Sequence, residues 1–181
     1  MIVLVDEIDA VVTDMRNLSA SDAAKFGITA GLESPYYIYG TRIDINKELV
    51  KKDKNPVEKD KKYPLIALRL DSPEEIVGDV VKYNLNIAIL ATTSKNYNAE
   101  QRYTYVIKPV LLPLYELLMD RLHKHKFFWP GDQSYPPHTK IDRPYWGIEG
   151  SEGNASYIFS DPLDAIEIVN LKLSKRANIC D

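Results

Sequence analysis

Histidines and carboxylates are the residues with which this chain could do acid-base or metal chemistry. Its histidines are His123, His125 and His138. The first two flank Lys124 and fall about 200° apart on a helix, so they do not converge on one ion. His138 lies in a proline-rich stretch, and a site built from all three needs a fourth ligand and a folded-back loop. They read as ordinary surface histidines. Asp161, Asp164 and Glu167, with Lys172 nearby, have the composition of a nuclease's acidic cluster. However, Asp161-Pro162 reads as a turn, and the odd spacing from Asp164 to Glu167 puts those carboxylates on opposite faces of a strand. Solvated carboxylates are the expectation. The chain has no Gly-x-Gly-x-x-Gly, P-loop, Gly-x-Ser-x-Gly or Cys-x-x-Cys motif. A protein that is not an enzyme, with neither metal nor cofactor, is expected.

Aromatic residues point elsewhere. The chain has 12 tyrosines and 2 tryptophans. Phe127, Phe128, Trp129, Tyr135, Tyr145 and Trp146 cluster between residues 127 and 160, where proline and glycine interrupt every regular pattern. Amphipathic rings in loops are enriched where protein meets protein. The competing expectation is that these loops fold back and bury their rings at home. A second candidate surface is the run 51–62, KKDKNPVEKDKK, with Lys51, Lys52, Lys54, Lys59, Lys61 and Lys62. Its six lysines less three acids leave +3. With Pro56 in the middle it reads as a solvated hairpin tip, open to a neighbouring subunit, an acidic partner or nucleic acid.

The totals exclude several classes. With 181 residues, 45% hydrophobic and 27% charged, the chain suits one globular domain spanning 1–181. A net charge of -3 gives no general attraction to nucleic acid or an anionic membrane. The single cysteine, Cys180, has no partner for an internal disulfide, which fits a reducing compartment. Residues 1–5 are apolar, but Asp6, Glu7 and Asp9 follow and no basic segment precedes, so a signal peptide is not expected. No apolar run reaches bilayer length. The expectation is a soluble, cytoplasmically made protein.

The longest periodic segment, 98–126, must position everything else. Tyr103, Val106, Ile107, Val110, Leu111, Leu114, Leu117, Leu118 and Leu122 recur at steps of three and four. Asn98 and Gln101 form a capping pair at the start, and Arg121, Lys124 and Lys126 suit the negative end of the dipole. Pro109 and Pro113 each cost about 3 kcal/mol in a helix interior, so a kink or break is predicted near 108–113. Ile2, Val5, Ile8, Val12 and Met15 predict an amphipathic first helix. Residues 18–32 begin with a helix-like turn at 19–22 that glycines interrupt. Strands are predicted over 36–45, bent at Gly40, over 63–71 and over 80–93. A last strand is predicted over 163–174, with a bulge at Val169-Asn170 that keeps its apolar residues on one face. The predicted fold is α+β: an antiparallel sheet packed on one side by the first and the kinked helix, with residues 127–160 as an extended loop arm.

Several stretches together resemble small structural proteins of tailed bacteriophages. They are Tyr63-Pro64-Leu65-Ile66-Ala67-Leu68; Ile89-Leu90-Ala91-Thr92-Thr93; Glu100-x-Arg102-Tyr103 with Lys108-Pro109 and Pro113-Leu114-Tyr115; Asp142-Arg143 with Tyr145-Trp146-Gly147; and Asp164-Ala165-Ile166-Glu167-Ile168. The resemblance is to the neck, tail-terminator or tail-completion family, covers roughly 36–180, and rests on element order and hydrophobic pattern. It implies an α+β subunit of a ring, commonly a hexamer, that joins the head connector to the tail in the virion while DNA passes through the lumen without sequence-specific binding. It implies the charged run and the aromatic loop as contacts to neighbouring copies and to connector and tail proteins, and carries no catalytic residues. The 127–160 stretch is longer than a minimal terminator needs. The other readings are a nucleic-acid-associated accessory protein using Lys51–Lys62, and a soluble adaptor holding a host protein through its aromatic loops.

Overall fold

The structure is a computed structural model that describes residues 2–29, 32, 34–70, 73–128, 135–149, 156–157, 159 and 161–176. In chain order the elements are α1 (Ile2–Arg16), α2 (Ala20–Phe26), β1 (Tyr36–Gly40), α3 (Arg42–Asp53), β2 (Leu65–Arg69), β3 (Glu74–Val77) and β4 (Val80–Thr92). A long helical rod follows, made of α4 (Ala99–Arg102), a π-helical stretch (Tyr103–Leu111) and α5 (Leu112–Lys124). The last elements are β5 (Thr139–Arg143), the short β6 (Ile148–Glu149) and β7 (Ser156–Tyr157) pair, and β8 (Leu163–Arg176).

Six strands form one sheet in the order β1-β2-β4-β8-β5, with β3 paired to the free half of β4. The fold is α+β as predicted, but the sheet is mixed. β1 and β2 run parallel, because α3 crosses between them and returns the chain in the same direction. Alternation along the strands splits the core in two. Ile66, Leu68, Ile87, Ile89, Ile166 and Ile168 pack with α1, α2 and the rod. Leu65, Ala67, Ala88, Leu90, Leu163 and Ala165 pack on the other face with Ile45 and Leu49 of α3, Trp146 and Phe159. Both faces are therefore covered over the sheet's centre, not one. This is why Leu65–Leu68 is buried without a break.

The bulge on β8 lies where the hydrophobic pattern requires it. Leu171 opposes Leu85 and Ile168 opposes Ile87, leaving Val169 and Asn170 against Asn86 alone. Asn170 takes φ 55°, and its N–H donates to the Asn86 side chain at 3.2 Å. Ile166, Ile168, Leu171 and Leu173 thereby stay in one core.

The prolines of the rod are absorbed by widening, not by a break. Over Tyr103–Leu111 the helix is π-wound, and the Leu112 N–H bonds the carbonyl of Ile107, five residues back. A wider turn gives the preceding carbonyls room beside the Pro109 ring, and Pro113 falls in the first turn of α5, where its missing N–H costs nothing.

Three further expectations are corrected. Ile43 and Ile45 do not extend the β1 strand. Thr41 and Asp44 cap each other reciprocally and start α3 directly after Gly40, so the chain turns helical there. Residues 51–62 are not a hairpin tip, because they hold the last turn of α3, a run of turns and a short 3-10 segment, Lys59–Lys61. The stretch 127–160 is not wholly an arm, because Thr139–Arg143 is the terminal strand of the sheet, paired to β8.

Candidate functional site

The sheet ends in two open edges, and these are the surfaces the fold leaves for chemistry of recognition. Among the described residues, β1 pairs only with β2 and β5 only with β8. The Tyr36 N–H donates to Pro64 O at 2.8 Å. Since successive peptide groups point to opposite sides of a strand, Tyr37 and Tyr39 direct their N–H and C=O away from the sheet. A groove of about 640 Å³ runs along that edge, walled by Asp6 and Asp9 of α1 on one face and by Asp44, Lys47 and Glu48 of α3 on the other. Tyr37 closes the floor, its hydroxyl donating to Val5 O at 3.2 Å. Burial, reinforced by Asp9, Tyr39 and Asp6, pushes that phenol far above its ordinary pKa, so it stays a neutral donor. Tyr39 stands exposed at the lip.

The opposite edge has the other charge balance. β5 reads Thr-Lys-Ile-Asp-Arg. Register places Lys140 and Asp142 opposite Ile168 and Ile166, on the face of the helical rod, and Arg143 opposite Ala165, on the face of α3. Lys140 pairs with Asp142, and the Arg143 Nε–H donates to Glu167 at 2.9 Å.

The predicted acidic cluster is divided among three jobs. Asp164 and Glu167 do face opposite sides of β8, but neither is solvated. Asp164 is fully buried and accepts from Arg102 at 2.6 Å and from the Tyr145 N–H at 3.0 Å. Arg102, itself 3% exposed, also donates to Tyr97 O, Ser94 O and the Thr93 hydroxyl, and the Tyr145 ring stacks 3.5 Å from its guanidinium. Glu167 accepts from the Trp146 indole at 2.8 Å. Asp161 holds Lys62 and receives the Tyr63 hydroxyl at 3.1 Å. Among the described residues no three His, Cys, Asp or Glu side chains gather as metal ligands.

No protein-family model and no curated protein matches this chain.

The predicted contact residues are thus scattered, and several are consumed internally. Lys52 and Lys62 are buried, Lys52 over the Tyr36 ring at 3.6 Å and Lys62 on Asp53 and Asp161. Lys51, Lys54, Lys59 and Lys61 are exposed. Phe128 packs in the rod-side core beside a half-buried Phe127. Trp146 stacks on Phe159 at 4.9 Å in the other core. Tyr145 is half-buried over Arg102, and Tyr135 is exposed near His123. Trp129 lies outside the described residues. His138 is not an ordinary surface imidazole: its Nδ1–H donates to Pro136 O at 2.7 Å, and its Nε2 shares a hydrogen bond with the Tyr115 hydroxyl at 2.6 Å. Sequence reasoning passed over Asp6, Asp9, Tyr39, Asp44 and Glu48. Their signal was acids on one side of α1 beside a tyrosine-rich strand, which becomes a site only through pairing order.

Proposed function

We propose that this chain is a structural assembly subunit, a ring-forming neck or tail-terminator component of a tailed bacteriophage that joins the head connector to the tail. The observation that carries self-assembly is the pair of terminal strands, β1 and β5, each unpaired on its outer side among the described residues, at opposite ends of one covered sheet. An exposed strand edge is a template for pairing with another chain, and edges at opposite ends of one subunit suit head-to-tail contacts, which close into a ring when the rotation between copies allows. The place in a virion neck rests on the sequence resemblance alone. In this reading its neighbours are its own copies in a hexameric ring, and connector and tail proteins, with DNA passing through the lumen.

The lysine run is a weaker candidate contact, since Lys52 and Lys62 are spent inside the fold. Light scattering on eluting protein, with negative-stain images, tests the reading. A discrete multiple of the 20.6 kDa chain and ring-shaped particles are expected. A chain that stays monomeric at high concentration, alone and with connector or tube proteins, overturns it.

A further inference from the structure

We infer that the acidic groove along β1 receives β5 of a second copy of this chain, so that neighbouring subunits share one continuous sheet. This deepens the assembly reading and rests on it. Three independent features select this occupant.

The first is direction. β1 and β2 are parallel, and the three following pairings, β2 with β4, β4 with β8 and β8 with β5, are antiparallel. β5 therefore runs opposite to β1. A neighbour that simply continues the sheet presents β5 antiparallel to β1, the pairing that alternates its hydrogen bonds perpendicular to the strands. Both strands have five residues.

The second is charge, face by face. In a continued sheet Lys140 lies on the face where α1 places Asp6 and Asp9, and Arg143 on the face where α3 places Asp44 and Glu48. Complementarity is clearest on the α3 face, where Arg143 meets Asp44 and Glu48, while on the α1 face Lys140 comes with its partner Asp142 and can bridge from it to Asp6 or Asp9.

The third is exclusion of the alternatives. Two β1 edges meeting about a two-fold axis bring together two grooves that each carry Asp6, Asp9, Asp44 and Glu48 against Lys47. Like charges across an interface oppose that pairing. β3, also open on its outer side among the described residues, begins Glu74-Glu75 and brings more acid to the groove, and on the outer side of β8 beyond the bulge the Lys172 N–H is already bonded to Pro137 O. A β1-to-β5 contact uses two different patches, so it propagates in one direction and closes when the rotation allows.

Complementary blocking tests this on the full chain. Tyr39→Pro removes an outward N–H at an edge position without touching the β1–β2 ladder and disables only the groove. Lys140→Glu, at a half-buried surface position, makes the incoming strand acidic and disables only β5. Circular dichroism matching the wild type certifies each fold. Each variant alone is expected to be monomeric, and a 1:1 mixture is expected to stop at a two-chain complex, because one working edge survives on each side. Asp6→Lys/Asp9→Lys is expected to dissociate the assembly and, combined with Lys140→Glu in one chain, to restore it. If folded Tyr39→Pro and Lys140→Glu chains assemble like the wild type, the shared-sheet inference is overturned while the assembly reading stands. A monomeric wild type overturns both.

Discussion

Replacing Arg102 by methionine isolates the contact that ties the rod to the sheet. Methionine keeps most of the apolar stem and removes a guanidinium that donates to four groups. Of these, Asp164 is the decisive one, because it is fully buried and keeps only the Tyr145 N–H at 3.0 Å after the change. Breaking a buried pair by removing one partner costs about 3–5 kcal/mol, since the remaining charge stays in a medium that solvates it poorly. With a urea slope of about 2 kcal/mol/M, a loss of about 4 kcal/mol lowers the unfolding midpoint by about 2 M. Arg102→Lys keeps the charge and loses the planar fork and the stacking on Tyr145, so a smaller drop, about 1 M, is expected. In the double variant Arg102→Met/Asp164→Leu no orphaned carboxylate remains, and the cycle should return a coupling of about 2–3 kcal/mol. Equilibrium urea unfolding followed by far-UV circular dichroism reads the wild type, Arg102→Met, Arg102→Lys, Asp164→Leu and the double variant. A midpoint shift under about 0.5 M for Arg102→Met, or single losses that simply add, refutes the view that a buried, mutually dependent pair clamps the rod.

Gly147→Ala should destabilise by about 2–4 kcal/mol, because a Cβ there lies 2.2 Å from a Phe159 ring carbon and the backbone sits at φ +83°; chemical denaturation measures it, and a neutral result means Phe159 does not pack there. In a Trp129→Phe chain, the emission of Trp146 should be blue-shifted and resist iodide quenching both before and after any assembly, since the ring is sealed on Phe159. Lys62 supplies a pH test. Burial is the largest influence and pulls its pKa down, but hydrogen bonds and charge from Asp161 and Asp53 together leave it raised above 10.5. The stabilisation is therefore complete at neutral pH and disappears as pH climbs from the ordinary lysine value through the raised folded one. Thermal midpoints of Lys62→Met should lie below the wild type at pH 8 and converge with it above that range; a gap that is constant to high alkali contradicts the pairing. Thr41→Ala, which removes the N-cap of α3, should cost about 1 kcal/mol in the same unfolding assay.

The elements legible in the sequence are those whose pattern is long. The strands β4 and β8 alternate over 13 and 14 residues, enough to reveal even the one-residue slip at Val169-Asn170. The rod announces itself through nine apolar positions at helical spacing, although its π winding does not, because proline signals only that an ordinary turn is strained. Helix α3 was hidden by composition. Its lysines suggested a solvated loop and Ile43 and Ile45 seemed to prolong a strand, while the Thr41-x-x-Asp44 cap and the Ile45-to-Leu49 spacing carried the true signal. The parallel placement of β1 and the burial of both sheet faces follow from that helix. The candidate site was the least legible part. Its acids come from helices that lie far apart in sequence, and no spacing rule brings Asp6 next to Glu48.

Which rings remain to anchor a partner has changed accordingly. Among the described candidates, Phe128 and Trp146 are spent in the two cores. The exposed described tyrosines are Tyr39, Tyr103, Tyr105 and Tyr135, each about half accessible or more. Tyr39 alone of these sits on an open strand edge, where a ring beside outward-pointing peptide groups joins apolar contact to main-chain hydrogen bonding. Natural sheets protect such edges with lysine, proline or bulges, and β1 has none of these in its five residues. Its protection is the ring of carboxylates on α1 and α3. Charges on the flanking helices repel another acidic edge and admit a basic one, so they guard against promiscuous pairing without closing the edge to the right strand. A strand edge left open by its own residues and filtered by its neighbours is what the proposed one-directional joining of copies requires.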